Sequence, residues 1–306
     1  MKEEKKFVIY MVIAFALAWI LQFVGIVNAF SGRTIVYQGA LAVSMFMPFV
    51  AVMIASKGIR KEKSGIEWGI HFKRNWKRIL IAWFLPALAT ILGAVLYFLI
   101  FPEKFDINLG ALAQTLKDND VMVDTEGKVQ GIPLSMLAII QLISAVTYAP
   151  LINTFVAVGE EAGWRGYMTP VLSKWLGEGR ALILSGIIWG IWHAPVIVFA
   201  GYEYGTGYKG EPVLGVLMMC GLTTSVGIIL SYFYEKSQSI WLPSLMHGAI
   251  NAVAGTPLFY MKEMPQHYLL GPTPAGLIGG IPLFVLGIVL FIKMTGKGQV
   301  SGAERS

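Results

Sequence analysis

Six polar side chains stand in stretches that are otherwise strongly apolar. Glu160, Glu161 and Arg165 occur in "VAVGEEAGWRGYM", His193 in "GIIWGIWHAPVIVF", and His247 with Asn251 in "SIWLPSLMHGAINAVAG". Glu161 and Arg165 are four apart, so on a helix they share a face and can pair. His247 and Asn251 have the same spacing and lie one turn apart on one face. By itself the Glu161–Arg165 pair reads as an interfacial cap with a salt bridge. Two histidines, an asparagine and a pair of glutamates in three separate apolar runs read as more than packing, because ionisable groups at membrane depth are costly and face a bundle interior or a water-filled cavity. A carboxylate in a partly dry site can act as a general base for water. An imidazole or a carboxamide can donate to developing negative charge. Carboxylate, imidazole and amide therefore suffice for hydrolysis through a tetrahedral intermediate. Histidine and carboxylate are also zinc ligands, so a metal site is the alternative chemistry. No serine stands at local spacing from a base, and the His-Glu-x-x-His zinc helix is absent from the sequence. The other two histidines, His71 and His267, fall in polar stretches and read as solvated.

The elements that must position these groups are membrane helices. The chain has 306 residues, 56% of them hydrophobic and 14% charged, and its mean hydropathy is +0.64. A soluble domain carries about a quarter charged residues. Apolar runs near 7–30, 37–56, 79–102, 133–158, 181–201, 212–234, 240–260 and 274–293 each approach the roughly 20 residues that cross a bilayer. These runs predict an all-α polytopic membrane protein of about eight transmembrane helices, forming a single integral membrane domain over 1–306. The lone cysteine, Cys220, excludes an intramolecular disulfide framework. The net charge of +6 does not point to nucleic acid, because the basic residues sit between apolar runs. Loop 57–78 holds eight basic residues against two acids, whereas loop 103–132 holds six acids against three bases. Positive loops stay cytoplasmic, so both termini are expected in the cytoplasm and loop 103–132 outside.

The three stretches, taken in order on successive membrane segments, resemble the CAAX prenyl protease type 2 family, also called Ras-converting enzymes. "EEAGWR" matches its Glu-Glu-x-x-x-Arg motif, "WGIWH" resembles Phe-x-x-x-His, and "HGAIN" matches His-x-x-x-Asn. The resemblance covers about residues 150 to 255, within a protease core of about 133–260. It implies an intramembrane endopeptidase that removes the last three residues of a prenylated CAAX peptide. Carried onto this chain, it makes Glu160 the base for water, with His193 helping to hold that water. His247 and Asn251 form the oxyanion hole, and Glu161 and Arg165 support the local structure. Trp189 stands where the family motif has phenylalanine; with Trp192 it is expected to wall the substrate cavity, which is expected to open to the cytoplasm. The resemblance implies a prenylated or otherwise lipid-anchored substrate in contact with membrane lipid. The favoured mechanism uses no cofactor, although zinc is possible.

The wider superfamily also holds bacteriocin-processing and immunity proteins, so a non-catalytic immunity or transport protein is the competing class. The complete set of Glu160, His193, His247 and Asn251 argues against it, and no symmetry between two halves supports a transporter. A hydrolase acting on other lipid-linked substrates would use the same residues.

Overall fold

A computed structural model of the chain describes residues 3–55 and 66–296. The basic residues expected at the chain ends and in part of loop 57–78 (Lys2, Lys57, Arg60, Lys61, Lys63, Lys297 and Arg305) lie outside the described residues. The described chain is mostly helical. In order it forms α1 (Glu3–Phe30), α2 (Thr34–Ser44), α3 (Met47–Ala55), α4 (Phe72–Ile100), α5 (Gly110–Asp118) and α6 (Leu134–Val146). These are followed by α7 (Ala149–Gly163), α8 (Thr169–Leu176), α9 (Glu178–Trp192), α10 (Ala194–Ala200), α11 (Val213–Ser237), α12 (Trp241–Val253) and α13 (Ile281–Thr295). The strands present are two-residue segments, Lys128–Val129 and Ile132–Pro133, paired antiparallel in the connection between α5 and α6.

Among the described residues, five helical stretches are long and apolar enough to cross a membrane: α1, α2 with α3, α4, α9 with α10, and α11. The pair α6 and α7–α8, bent by 48°, makes a sixth if it is one span. The expected count of eight is therefore not reached on length and composition. Run 240–260 is divided between α12, of 13 residues, and the 3-10 turn Thr256–Tyr260. Run 274–293 yields α13, of 15 residues. In both, glycine and proline interrupt the helix that an unbroken apolar run predicts.

On α1 and α4 most of the buried face is small and many large apolar side chains are exposed. On α1 the buried stripe is Tyr10, Ala14, Ala18, Gln22 and Gly25, while Val12, Ile20 and Val27 face outward. On α4 the buried face carries Ala82, Pro86, Ala89 and Gly93, and Phe84, Leu88 and Leu99 are exposed. Lipid is as apolar as leucine, so helices in a bilayer associate through close packing and interhelical hydrogen bonds rather than by hiding large side chains. The closest approaches fall where a side chain could not fit. A Cβ at Gly248 of α12 would lie 2.6 Å from the backbone nitrogen of Thr154 on α7. One at Gly190 of α9 would lie 2.5 Å from Cα of Cys220 on α11. These contacts draw α7, α9, α11 and α12 together around the six polar residues.

The two ends of the bundle differ. At one end, Arg74 and Asn75 of α4 donate to the Ser237 carbonyl that closes α11, Ile240 N–H donates to the Glu67 carbonyl, and Lys174 pairs with Glu3. This is the end to which the basic loop attaches. At the other end, α5 and the segment 255–264 pack together beside the connection that follows α4, with Phe105 bridged to Met261.

Candidate active site

Glu160 and Glu161 lie on α7 and are 1% and 0% exposed. The helix does not stop beside them. It passes through a single π-helical turn, Trp164–Met168, into α8 and ends at Gly177. About 16 residues, or roughly 24 Å of helix, separate Glu160 from that end. The sequence reading placed Glu160 at an interfacial end because the apolar run stops near residue 158; the polar segment that follows is instead buried helix. A π turn of this kind often marks a functional site, since it rotates the side chains that follow.

Each charge in this segment has its partner. Arg165 Nη1 donates to Glu161 Oε1 at 3.0 Å, both groups buried. His247 Nδ1 lies 2.8 Å from the same Glu161 oxygen. Glu161 Oε2 is buried without a protein partner. Glu160 is held differently: the indole N–H groups of Trp164 and Trp189 both donate to its Oε2.

Trp189 is the hub of the arrangement. Its N–H reaches Glu160, and the Arg165 guanidinium stacks over its ring at 4.2 Å. His247 meets it edge-on at 5.3 Å between ring centroids, and its backbone carbonyl lies 2.9 Å from His193 Nδ1. Phenylalanine at this position would keep the stacking surface and lose the hydrogen bond to Glu160. The departure from the family motif therefore reaches the acid itself, and not only the cavity wall.

The hydrogen bonds also settle how the histidines can act. A carbonyl only accepts, so His193 Nδ1 carries the proton, and Nε2 of the neutral ring is an acceptor. His247 Nδ1 faces a carboxylate and donates to it, so its Nε2 donates only when the ring is an imidazolium. His193 ends α9 at a break before Pro195, whose missing N–H interrupts the helix ladder. At this break the Trp192 carbonyl accepts from Trp19 Nε1 and Gln22 Nε2 of α1.

Three cavities meet at Asn251, which lines all of them. One, of about 70 Å³, also touches Glu160, His193 and His247. A second, also about 70 Å³, is bounded by Trp189, His193, Glu203 and His247. The third, about 420 Å³, runs between α5, α6 and segment 255–264. The structure thus brings Glu160, His193, His247 and Asn251 to one cavity. Trp192 lines it as expected, and Trp189 lines the second. The largest of the three cavities reaches α5 and segment 255–264, and the second reaches Glu203. His71 and His267 are exposed and line none of them.

Sequence reasoning missed four contributors. Trp164 shares Glu160 with Trp189. Gln22 anchors the Trp192 carbonyl, and an amide deep inside the first apolar run was the visible signal. Tyr202 lies parallel to His193, with centroids 6.1 Å apart. Glu203 adds a third carboxylate to the walls, from a residue with φ of 62°. Burial pushes the Glu203 carboxyl above the usual carboxylate range. The loop carrying both residues is docked by Thr206 N–H on the Gln266 carbonyl and Tyr268 N–H on that of Tyr204. No local pattern announced it.

A metal was tested against these side chains. Among the described residues no three of histidine, cysteine, aspartate or glutamate stand close enough together to hold an ion. Glu160 Oε2 already accepts two indole protons, and His247 Nδ1 is committed to Glu161. The reading below takes no step through a metal.

Fold and site define a polytopic helical membrane protein with an acid–imidazole–amide cluster lining a cavity of its bundle. Comparison with known proteins agrees. Residues 141–253 match the family model described as type II CAAX prenyl endopeptidase Rce1-like, so the resemblance carried by the three motifs holds over that segment. The chain is 33% identical over 96 residues to a protein of Methanococcus maripaludis named CAAX prenyl protease 2. The match covers 31% of this chain and 35% of that protein, so the chain spans about a third of the length of the relative it matches.

Proposed function

We propose that this chain is an intramembrane peptidase that hydrolyses a peptide bond near the C-terminus of a prenylated or otherwise lipid-anchored CAAX-type substrate, without a metal. The observation that carries the reading is the convergence of Glu160, His193, His247 and Asn251 on one cavity. Glu160 offers Oε1 to a water, because both indoles occupy Oε2. It takes a proton from that water as the hydroxide adds to the scissile carbonyl, then returns the proton to the leaving amine as the C–N bond breaks. His193 accepts the water's second hydrogen at Nε2 and orients it. Asn251 donates through its carboxamide to the developing oxyanion, and His247 does so through Nε2–H as an imidazolium. Glu161 is the counter-ion that makes that protonated form tenable. The large apolar cavity beside Asn251 receives the substrate's apolar residues. Burial of its lipid supplies about 0.8 kcal/mol per CH2 group. Both termini lie in the cytoplasm, on the side of the basic loop.

The test is incubation of purified protein with a farnesylated CAAX peptide, with and without a strong chelator. Release of the C-terminal tripeptide at equal rates is expected. No cleavage of any prenylated peptide would remove the reading. Activity lost with stoichiometric zinc and restored by adding it back would remove the metal-free mechanism.

A further inference from the structure

The cavity that touches Glu160 has a wall with no part in moving the proton. It is formed by Gln22 of α1 and by Leu41, Ser44 and Met45 at the end of α2. Gln22 is 1% exposed inside an apolar helix, where a carboxamide is costly unless its groups are paired. Half of it is paired, because Nε2 donates to the Trp192 carbonyl at 3.2 Å. A carbonyl only accepts, so this bond fixes which end of the carboxamide is nitrogen. Oε1 is left buried with no protein partner. Other buried side-chain atoms without a partner, such as Tyr10 Oη, Glu161 Oε2 and Ser231 Oγ, belong to residues outside the wall of this cavity. Nor does the Trp192 carbonyl depend on Gln22, since it also accepts from Trp19 Nε1 at 3.1 Å.

We infer that Gln22 Oε1 positions the substrate by accepting a backbone N–H, that of the residue whose carbonyl is attacked. The inference rests on the peptidase reading. A peptide unit brings one acceptor and one donor into the cavity. Asn251 and His247 take the carbonyl oxygen, while Glu160 and His193 are occupied by the water. The N–H needs an acceptor of its own, because a buried N–H left unpaired costs about as much as a lost hydrogen bond. At about 70 Å³ the cavity has room for little more than the reacting peptide unit. The N–H that Gln22 meets therefore flanks the attacked carbonyl. Of the two that do, the nitrogen of the broken bond must turn its lone pair toward Glu160 to take up the returning proton. The N–H on the other side of the carbonyl keeps its geometry throughout. It suits an acceptor that is itself held fixed through Nε2. Pinning that side of the carbonyl sets the angle at which the water attacks.

The test compares kcat/KM for two farnesylated CAAX peptides that differ at one group. In the second peptide the N–H of the farnesylated residue is replaced by an ester oxygen, so the bond that is cut stays the same. The wild type is expected to prefer the amide about tenfold, the effect of one buried hydrogen bond lost with its acceptor left unpaired. An ester placed one residue further toward the N-terminus is expected to cost much less. Gln22→Met removes Oε1 at nearly constant length. It is expected to cut the amide peptide about tenfold more slowly and to show no preference. Trp19→Phe removes the other donor to the Trp192 carbonyl and is expected to keep the preference. Were Gln22 only a prop for that carbonyl, the two variants would behave alike. Equal rates for amide and ester in the wild type overturn the inference, and that measurement needs no variant to fold. An undiminished preference in Gln22→Met overturns it too. Failure of the wild type to cut the amide peptide removes the peptidase reading and this inference with it, whereas cleavage without preference removes this inference alone.

Discussion

Glu160 and Glu161 are neighbours in sequence with separate tasks, and the difference lies in what donates to them. Glu160 receives two neutral indole N–H groups, whereas Glu161 receives a guanidinium and an imidazole on one oxygen. Glu160→Ala should abolish peptide hydrolysis in a protein that still inserts and folds; near-wild-type turnover would end its assignment as the base. Glu161→Gln should act twice. It removes the counter-ion of His247, and it leaves Arg165 buried without a charge partner, a change that costs about 3–5 kcal/mol where it has been measured. Both kcat and the thermal midpoint in detergent should fall, a larger effect than the loosened salt bridge that the Glu161–Arg165 spacing suggested. Trp189→Phe isolates one hydrogen bond. The ring that stacks on Arg165 and His247 stays, and the N–H to Glu160 goes. A charged hydrogen bond is worth about 1.5–3 kcal/mol, so kcat should drop by roughly ten- to a hundredfold with KM little changed. A rise in KM alone would make Trp189 a wall and nothing more. Asn251→Ala should lower kcat on the order of 10²- to 10³-fold, and Asn251→Asp should be worse because a carboxylate repels the oxyanion.

At the scale of the element, the site depends on how closely four helices approach. His247 reaches Glu161 because α12 lies against α7 at Gly248, where an added Cβ would meet backbone atoms of Thr154, Asn153 and Pro150 within 2.9 Å. Backbone cannot yield as a side-chain tip can, so Gly248→Val must push α12 away. Overpacking of this kind costs about 1–3 kcal/mol, and here it also lengthens the His247–Glu161 hydrogen bond. The expected outcome is a lowered thermal midpoint together with loss of hydrolysis. Unchanged activity would mean that the α7–α12 spacing does not set the geometry. Gly190, packed on Cys220 of α11, has the same role for α9, which carries both Trp189 and His193. The π turn is the local device on α7. It keeps the chain helical past Trp164 and Arg165, which meet Glu160 and Glu161 at the i,i+4 spacing of a helix face.

For the whole molecule, the expectations concern sidedness. A reporter fused after Ser306 should read as cytoplasmic, and an epitope placed in loop 103–132 should be accessible from outside. The opposite result would reverse the assignment of both ends. The stripe of small buried residues on α1 and α4, opposite large exposed ones, fits a body solvated by lipid rather than water. Removing lipid or detergent should therefore aggregate the protein before its helices unfold, which circular dichroism followed alongside light scattering would show.

The sequence alone determined the class of fold and singled out the candidate site residues. Long apolar runs are legible because a bilayer demands about 20 such residues per crossing. Glu160, His193, His247 and Asn251 are legible because polar groups are rare and costly in such runs. The Glu161–Arg165 pair follows from helical spacing, and it is present in the structure. Only the tertiary structure decided which oxygen each donor takes, that Trp164 and Trp189 share Glu160, and that His247 belongs to Glu161, 86 residues away. It also decided that α7 runs on through the glutamates and that the last two runs fall short of full spans. These outcomes depend on contacts between helices far apart in the chain. Helical periodicity reports which residues share a face; it carries no information on which other helix that face meets.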